Sequence, residues 1–236
     1  MHWENADDLF AWLREGVLGD RATVPTPFGP RPLIYADYTA SGRAFKPIED
    51  FLQARVLPFY ANTHSESAFT GRQTHRFRED ARNQIRAAVG AGPEHAVIFC
   101  GSGATGAINR LIDCLGLRHR SPGAPRPVVI LGPFEHHSNE LPWRESAVEL
   151  RHVPLSAEGT FDEAALAELL KTLKPGVFAS FSAASNVTGV RCDTQRISAL
   201  VHKAGGRVFW DYAAAGPYVA MDASDKDAIF LSPHKF

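Results

Sequence analysis

Lys235 follows the apolar run Ile229-Phe230-Leu231 by way of Ser232-Pro233-His234, and Asp211 directly follows Val208-Phe209-Trp210. Both polar groups stand just beyond runs that read as buried strands. A lysine beside a buried strand end has the makings of a nucleophile, because its ammonium is readily pushed toward the free amine. An exposed lysine near a chain end reads the same way by position alone. The other five lysines, Lys46, Lys171, Lys174, Lys203 and Lys226, fall in helical or loop contexts where a solvated ammonium needs no explanation.

Gly101-Ser102-Gly103-Ala104-Thr105-Gly106 lies between an apolar run and a helical period. In that setting successive backbone N–H groups and the helix dipole converge where a phosphate can sit. A tight strand-to-helix turn without a ligand is the plain alternative. The loop also fits GxGxxG, whose dinucleotide reading needs an acidic residue about 20 positions further on. Glu135 comes later than that. It opens Glu135-His136-His137-Ser138-Asn139, which follows the run Val128–Leu131 and so belongs at the edge where open α/β sheets bind ligands. Adjacent histidines on an extended segment point to opposite sides, and no CxxC or HExxH accompanies them, so no metal site is expected.

The elements that must position these groups alternate. Strands are predicted at Val97–Cys100, Val128–Leu131, Leu150–Val153, Val177–Phe181, Val208–Trp210 and Ala228–Leu231. Between them, apolar residues recur at helical spacing over Ala104–Leu117, Asp162–Leu173 and Thr194–Ala204. The expected fold class is therefore α/β, a mostly parallel sheet of six strands covered by helices. Thr160 and Glu163 suggest a capping box, and Gly205-Gly206 a left-handed stop. Upstream, helices are expected at Asn5–Glu15, Lys46–Leu57 and Thr74–Val89, with Pro25–Pro32 as a proline-rich connector.

Composition narrows the class. The chain has 236 residues, 44% hydrophobic and 22% charged, which excludes disordered and low-complexity types. Its 25 basic and 26 acidic side chains nearly cancel, so nucleic acid is not an expected partner. No stretch approaches the roughly 18 apolar residues of a membrane span, and the first residues lack the basic start and apolar core of a signal peptide. No membrane association and a cytoplasmic location are expected. Cys100, Cys114 and Cys192 form neither a disulfide framework nor a metal knuckle and read as reduced core thiols.

Seven ordered stretches go beyond these single signals: Tyr35-Ala36-Asp37-Tyr38-Thr39-Ala40-Ser41, Asn62-Thr63-His64-Ser65, the glycine loop, Glu135 to Trp143, Ser185-Asn186-Val187-Thr188-Gly189, Asp211-Tyr212-Ala213 and Ser232-Pro233-His234-Lys235. Together they resemble the class V aminotransferase family of pyridoxal 5'-phosphate (PLP) enzymes, in particular its cysteine desulfurase and selenocysteine lyase-like branch. The resemblance implies the large domain of fold type I. It makes Lys235 the internal-aldimine lysine and Asp211 the partner of the pyridine nitrogen. It places His136 on the ring face, Asn186 at the phenolic oxygen, and Ala104, Thr105, Ser232 and His234 around the phosphate.

The implied reaction is carbon–sulfur or carbon–selenium cleavage of a small amino acid. An aminotransferase or kynureninase-like reaction is the nearest alternative, and a dinucleotide-binding oxidoreductase domain or a non-catalytic fragment the alternative of another class. Many members carry Gln or His where this chain has Ala214. The resemblance also implies that the chain is an incomplete N-terminal portion, with the C-terminal part of the fold missing, inactive alone, and a homodimer in full-length form. Residues 1–44 would be a helix and connector arm and 45–236 the cofactor-binding portion.

Overall fold

The computed structural model describes residues 5–63, 66–119, 121 and 123–236. His64 and Ser65 of the matched stretch at 62–65, and Met1 to Glu4, lie outside the described residues. The described residues fall into two compact units, one reaching to Gln84 together with Lys235, the other running from Ile85 to His234 together with Phe236.

In the first unit, α1 (Ala6–Gly16) begins where the Asn5 side chain accepts from the Asp8 N–H at 2.9 Å, with Asp7 and Asp8 in the first turn. An acceptor and two carboxylates at this end satisfy orphan donors and the helix dipole. The helix ends at Gly16, where any Cβ would run into the Phe45 ring, and the chain then bridges from Val17 to Phe45. The proline-rich connector carries a two-residue antiparallel ladder, β1 (Thr23–Val24) with β2 (Arg31–Pro32).

The stripe from Lys46 is only partly α-helical. α2 (Lys46–Phe51) widens to a π turn at Leu52–Val56 and tightens to a 3-10 turn at Leu57–Phe59. Pro58 has no N–H and its ring crowds the carbonyl four residues back, so an α-helix cannot reach it undistorted. α3 (Phe69–Ala88) starts earlier than its apolar stripe suggests and ends before Gly90, whose φ of +64° suits glycine.

The second unit holds α4 (Gly103–Cys114), β3 (Val128–Leu131), α5 (Leu141–Arg144), β4 (Glu149–His152), α6 (Glu163–Thr172), β5 (Phe178–Ser182), α7 (Thr194–Lys203), β6 (Arg207–Asp211) and β7 (Ala228–Phe230). The strands form one parallel sheet in the order β4-β3-β5-β6-β7. Period-two alternation divides their side chains between two cores. Ile130, Ala179, Phe181, Val208 and Trp210 pack with Leu166, Leu170, Ile197 and Val201 of α6 and α7. Val129, Leu131 and Phe209 pack with Ile108 and Ile112 of α4 and with Trp143 of α5. A sheet covered on both faces is what parallel strands require. The expected α/β architecture is therefore observed.

Four expectations are corrected. Val97–Cys100 forms no strand: among the described residues the sheet ends at β7, and Ile98 is 63% exposed, so this apolar run gains neither a regular ladder nor a core. The N-cap of α6 is Asp162 rather than Thr160: the helix starts at Glu163, and the carboxylate just before it accepts from the Ala165 N–H at 2.8 Å, so Thr160 lies outside the helix end. Cys114, at the last turn of α4, is exposed rather than a core thiol, because it falls off the buried Ile108–Ile112 stripe. Lys226 is not a solvated lysine. Its side chain is 2% exposed and its ammonium pairs with Asp225 at 2.5 Å, which offsets the cost of burying the charge.

Candidate functional site

The glycine loop is built by steric necessity. Ser102 takes a left-handed conformation, φ 62°, and Gly103 follows at φ 61°. The turn brings α4 back so tightly that a Cβ on Gly106 would run into the Gly101 carbonyl oxygen. A Cβ on Gly103 would meet the Ser232 hydroxyl at 3.0 Å and the His234 ring at 3.3 Å. Glycine is thus required for close approach as well as for conformation.

That approach assembles an anion cradle. The Ala104 N–H donates to Ser232 Oγ at 3.1 Å, which leaves the serine's own proton to donate onward. The first turn of α4, the Ser232 hydroxyl and the His234 ring thus meet at one point, and a helix N-terminus favours negative charge there. The donor set suits a phosphate monoester, and Ala104, Ser232 and His234 come together around Gly103.

Thr105 turns toward the other motif. Its hydroxyl donates to Ser138 Oγ at 2.7 Å, and Ser138 Oγ lies 3.0 Å from His136 Nδ1. His136 caps the 3-10 turn His137–Asn139 by accepting from the Ser138 N–H at 3.1 Å. The two histidines therefore do not splay across an extended segment. His136 is extended but the 3-10 turn begins at His137, and their ring centroids stand 6.0 Å apart. Among the described residues no group of three or more His, Cys, Asp or Glu side chains is arranged to hold a metal.

A polar network joins this stretch to two serines of β5 that no motif marked. Glu135 Oε1 accepts from the N–H groups of Gly132 at 3.2 Å and Ser182 at 3.0 Å. Its Oε2 accepts from Asn139 at 2.6 Å and from the Ser182 hydroxyl at 2.8 Å. Asn139 in turn accepts from Ser180 at 2.6 Å and from the Trp143 indole at 3.3 Å. Ser180 and Ser182 share one face of the otherwise apolar β5, and that pair of serines was the signal available in the sequence. Burial pushes Glu135 up to about 7, against its hydrogen bonds from Ser182 and Asn139, and the charge of Asp211 adds to the rise. Held this way, Glu135 is not placed as the ribose-binding acid of a dinucleotide site.

Asp211 ends β6 in register with Ser182 of β5. It is 5% exposed, and its Oδ1 accepts from the Ala213 N–H at 2.8 Å. A buried carboxylate at a strand end is the group that would keep a heterocyclic nitrogen protonated. Asn186 lies exposed in the turn closed by the Gly189 N–H to the Ser185 carbonyl, and its side chain hydrogen-bonds to none of these residues among those described. Lys235 closes the 3-10 turn Pro233–Lys235 that follows β7. The glycine loop, His136, Glu135, Asp211 and Ser232 thus lie at the carboxyl edge of one sheet, where strand order reverses between β3 and β5.

Residues 34–236 match the aminotransferase class-V family. A cysteine desulfurase from Serratia proteamaculans is 30% identical over 87% of this chain and 50% of its own length, and a probable cysteine desulfurase from Halobacterium salinarum 26% identical over 88% and 50%. In structure, the apo cysteine desulfurase of Thermococcus onnurineus superposes with a TM-score of 0.78 at 18% identity, over 99% of this chain and 54% of that one. The cysteine desulfurase CsdA of Escherichia coli gives 0.69 at 24%, over 85% and 50%. The chain spans about half the length of the curated relatives it matches.

Proposed function

Because the chain belongs to the class-V aminotransferase family, whose members use PLP, we propose that it forms the cofactor-binding part of a cysteine desulfurase-like enzyme. The reaction is cleavage of the carbon–sulfur bond of cysteine, or the carbon–selenium bond of selenocysteine, leaving alanine. The observation that carries this reading is the meeting of the α4 N-terminus, Ser232 and His234 at Gly103, on the sheet edge that also presents His136 and Asp211.

In this reading Ala104, Thr105, Ser232 and His234 hold the phosphate, His136 lies against the ring, and Asn186 binds the phenolic oxygen. Asp211, buried and anionic, holds a proton on the pyridine nitrogen. Bound there, the cofactor supplies an electron sink for charge left on a substrate carbon. The Lys235 amine would hold the cofactor and, when free, would move a proton at the substrate carbon. Residues 1–44 serve as an arm to the cofactor-binding portion at 45–236. The full-length protein acts as a homodimer in the cytoplasm.

Ala214 favours a second reading. Its methyl group has nothing to donate to a cofactor oxygen or an amine, which suits an aminotransferase or kynureninase-like outcome. The test is to supply the full-length protein with PLP, with a dithiol reductant that frees the cleaved sulfur or selenium as sulfide or selenide, and with cysteine or selenocysteine. Sulfide or selenide released in step with alanine, without added keto acid, supports the lyase. Keto acid consumed in step with the amino acid, without sulfide, supports the second reading.

A further inference from the structure

We propose that Ser138 is a positioning residue that holds the His136 ring in its Nε2–H tautomer and ties it to Thr105 on the glycine loop. The inference rests on the reading of His136 as the side chain against the cofactor ring, and it concerns a residue to which that reading gives no role.

The Ser138 N–H points at His136 Nδ1 from 3.1 Å. A backbone N–H has no acceptor form, so Nδ1 must carry a lone pair, and the single proton of a neutral imidazole then resides on Nε2. The hydroxyl of the same serine strengthens this assignment. Thr105 Oγ1 donates to Ser138 Oγ at 2.7 Å, and the Ser138 proton is left to point at Nδ1, 3.0 Å away. Two donors from one residue thus converge on one ring nitrogen, and the opposite tautomer would set an N–H against the backbone donor, which cannot turn and accept as the hydroxyl can.

Two consequences follow. The ring nitrogen directed away from Ser138 presents a donor, so neutral His136 offers a proton at the sheet edge rather than a lone pair. The ring is also coupled to the anion cradle through one hydroxyl pair, so its orientation depends on a residue of the loop that would hold the phosphate.

The test is two-bond proton–nitrogen correlation spectroscopy on the full chain labelled at the histidine ring nitrogens, without added cofactor. The His136 pattern is assigned by its disappearance in His136→Gln. The expected result is a pyridine-type Nδ1 and a pyrrole-type Nε2. In Ser138→Ala, which keeps the backbone N–H and loses only the hydroxyl, the two nitrogen shifts should move part of the way toward each other with the unfolding midpoint unchanged, in Ser138→Thr they should return, and in Thr105→Val they should move less. A pyrrole-type Nδ1 in the wild type, or a Ser138→Ala pattern identical to the wild type, would overturn the proposal. Failure of the cofactor reading shows separately, as PLP retention after dialysis that is the same in His136→Gln as in the wild type.

Discussion

Ser182 donates twice to Glu135, its N–H to Oε1 at 3.0 Å and its hydroxyl to Oε2 at 2.8 Å. Ser182 is at the same time the register partner of Asp211 on the neighbouring strand. One carboxylate is thus clamped to the strand beside the other, and the two share a poorly solvated strand end. Of the four donors on Glu135, only the Ser182 hydroxyl can turn and accept, so a proton on Glu135 goes toward Ser182.

This clamp sets a pH dependence. Burial is the main cause that lifts Glu135 from the ordinary 4.5 to about 7. The folded chain therefore binds this proton more tightly than the unfolded one. The associated stability is fully present at pH values below about 4.5 and is lost as pH rises through about 7, an effect on the order of 3 kcal/mol. Glu135→Gln has no proton to lose, so its urea-unfolding free energy should fall less than the wild type's between pH 5 and pH 8. Parallel curves for the two proteins would contradict the assignment.

Asp211→Asn should keep most of the bound cofactor while lowering turnover of the full-length enzyme by about 10²-fold or more, because the amide cannot hold the pyridinium proton by charge. Absorbance gives the cofactor content and a product assay the rate. Near-normal turnover at full cofactor content would refute the role.

The sheet was legible in the sequence because four of its five strands are short, mostly apolar runs, the fifth, Glu149–His152, being marked only by Leu150 and the adjoining Val153, and because α4, α6 and α7 repeat at the helical period. Val97–Cys100 misled for the same reason: periodicity reports apolarity, and pairing depends on neighbours distant in sequence. The motifs Gly101–Gly106, Asp211 and Ser232–Lys235 were visible because backbone geometry and chemistry constrain residue type there. Ser138 and Asn139 stood in a matched stretch without a role, and Ser182 in none, since a serine or asparagine gains its meaning from the partner the fold brings to it. Lys226 was misread for the same reason, its burial being a property of packing.

Gly106→Ala should damage the cradle more than any propensity scale implies. Alanine favours helix by about 1 kcal/mol over glycine, yet the new methyl would run into the Gly101 carbonyl oxygen, which is backbone and cannot rotate aside. A net loss of about 1–3 kcal/mol, together with weaker retention of PLP, is expected from denaturant unfolding and dialysis. A stabilised variant would show that the loop relaxes freely.

The thiols should separate by reactivity. Burial, with the charges of Glu135 and Glu163, pushes Cys192 up to about 12, whereas Cys114 is exposed. The thiolate is the reacting species, so at pH 8 a disulfide reagent should label Cys114 quickly and Cys192 only on unfolding. Cys114→Ser should abolish a fast phase. Fast labelling of Cys192 in the folded protein would contradict its placement.

The central claim is that Lys235 attaches the cofactor, and borohydride reduction of the PLP-loaded full-length protein tests it most directly. After reduction, proteolysis and mass spectrometry should find the pyridoxyl group on the peptide containing Lys235. Lys235→Ala should lose the visible absorption that Lys203→Ala keeps. A pyridoxyl group on another lysine, the buried Lys226 included, or an unchanged spectrum in Lys235→Ala, would contradict the account.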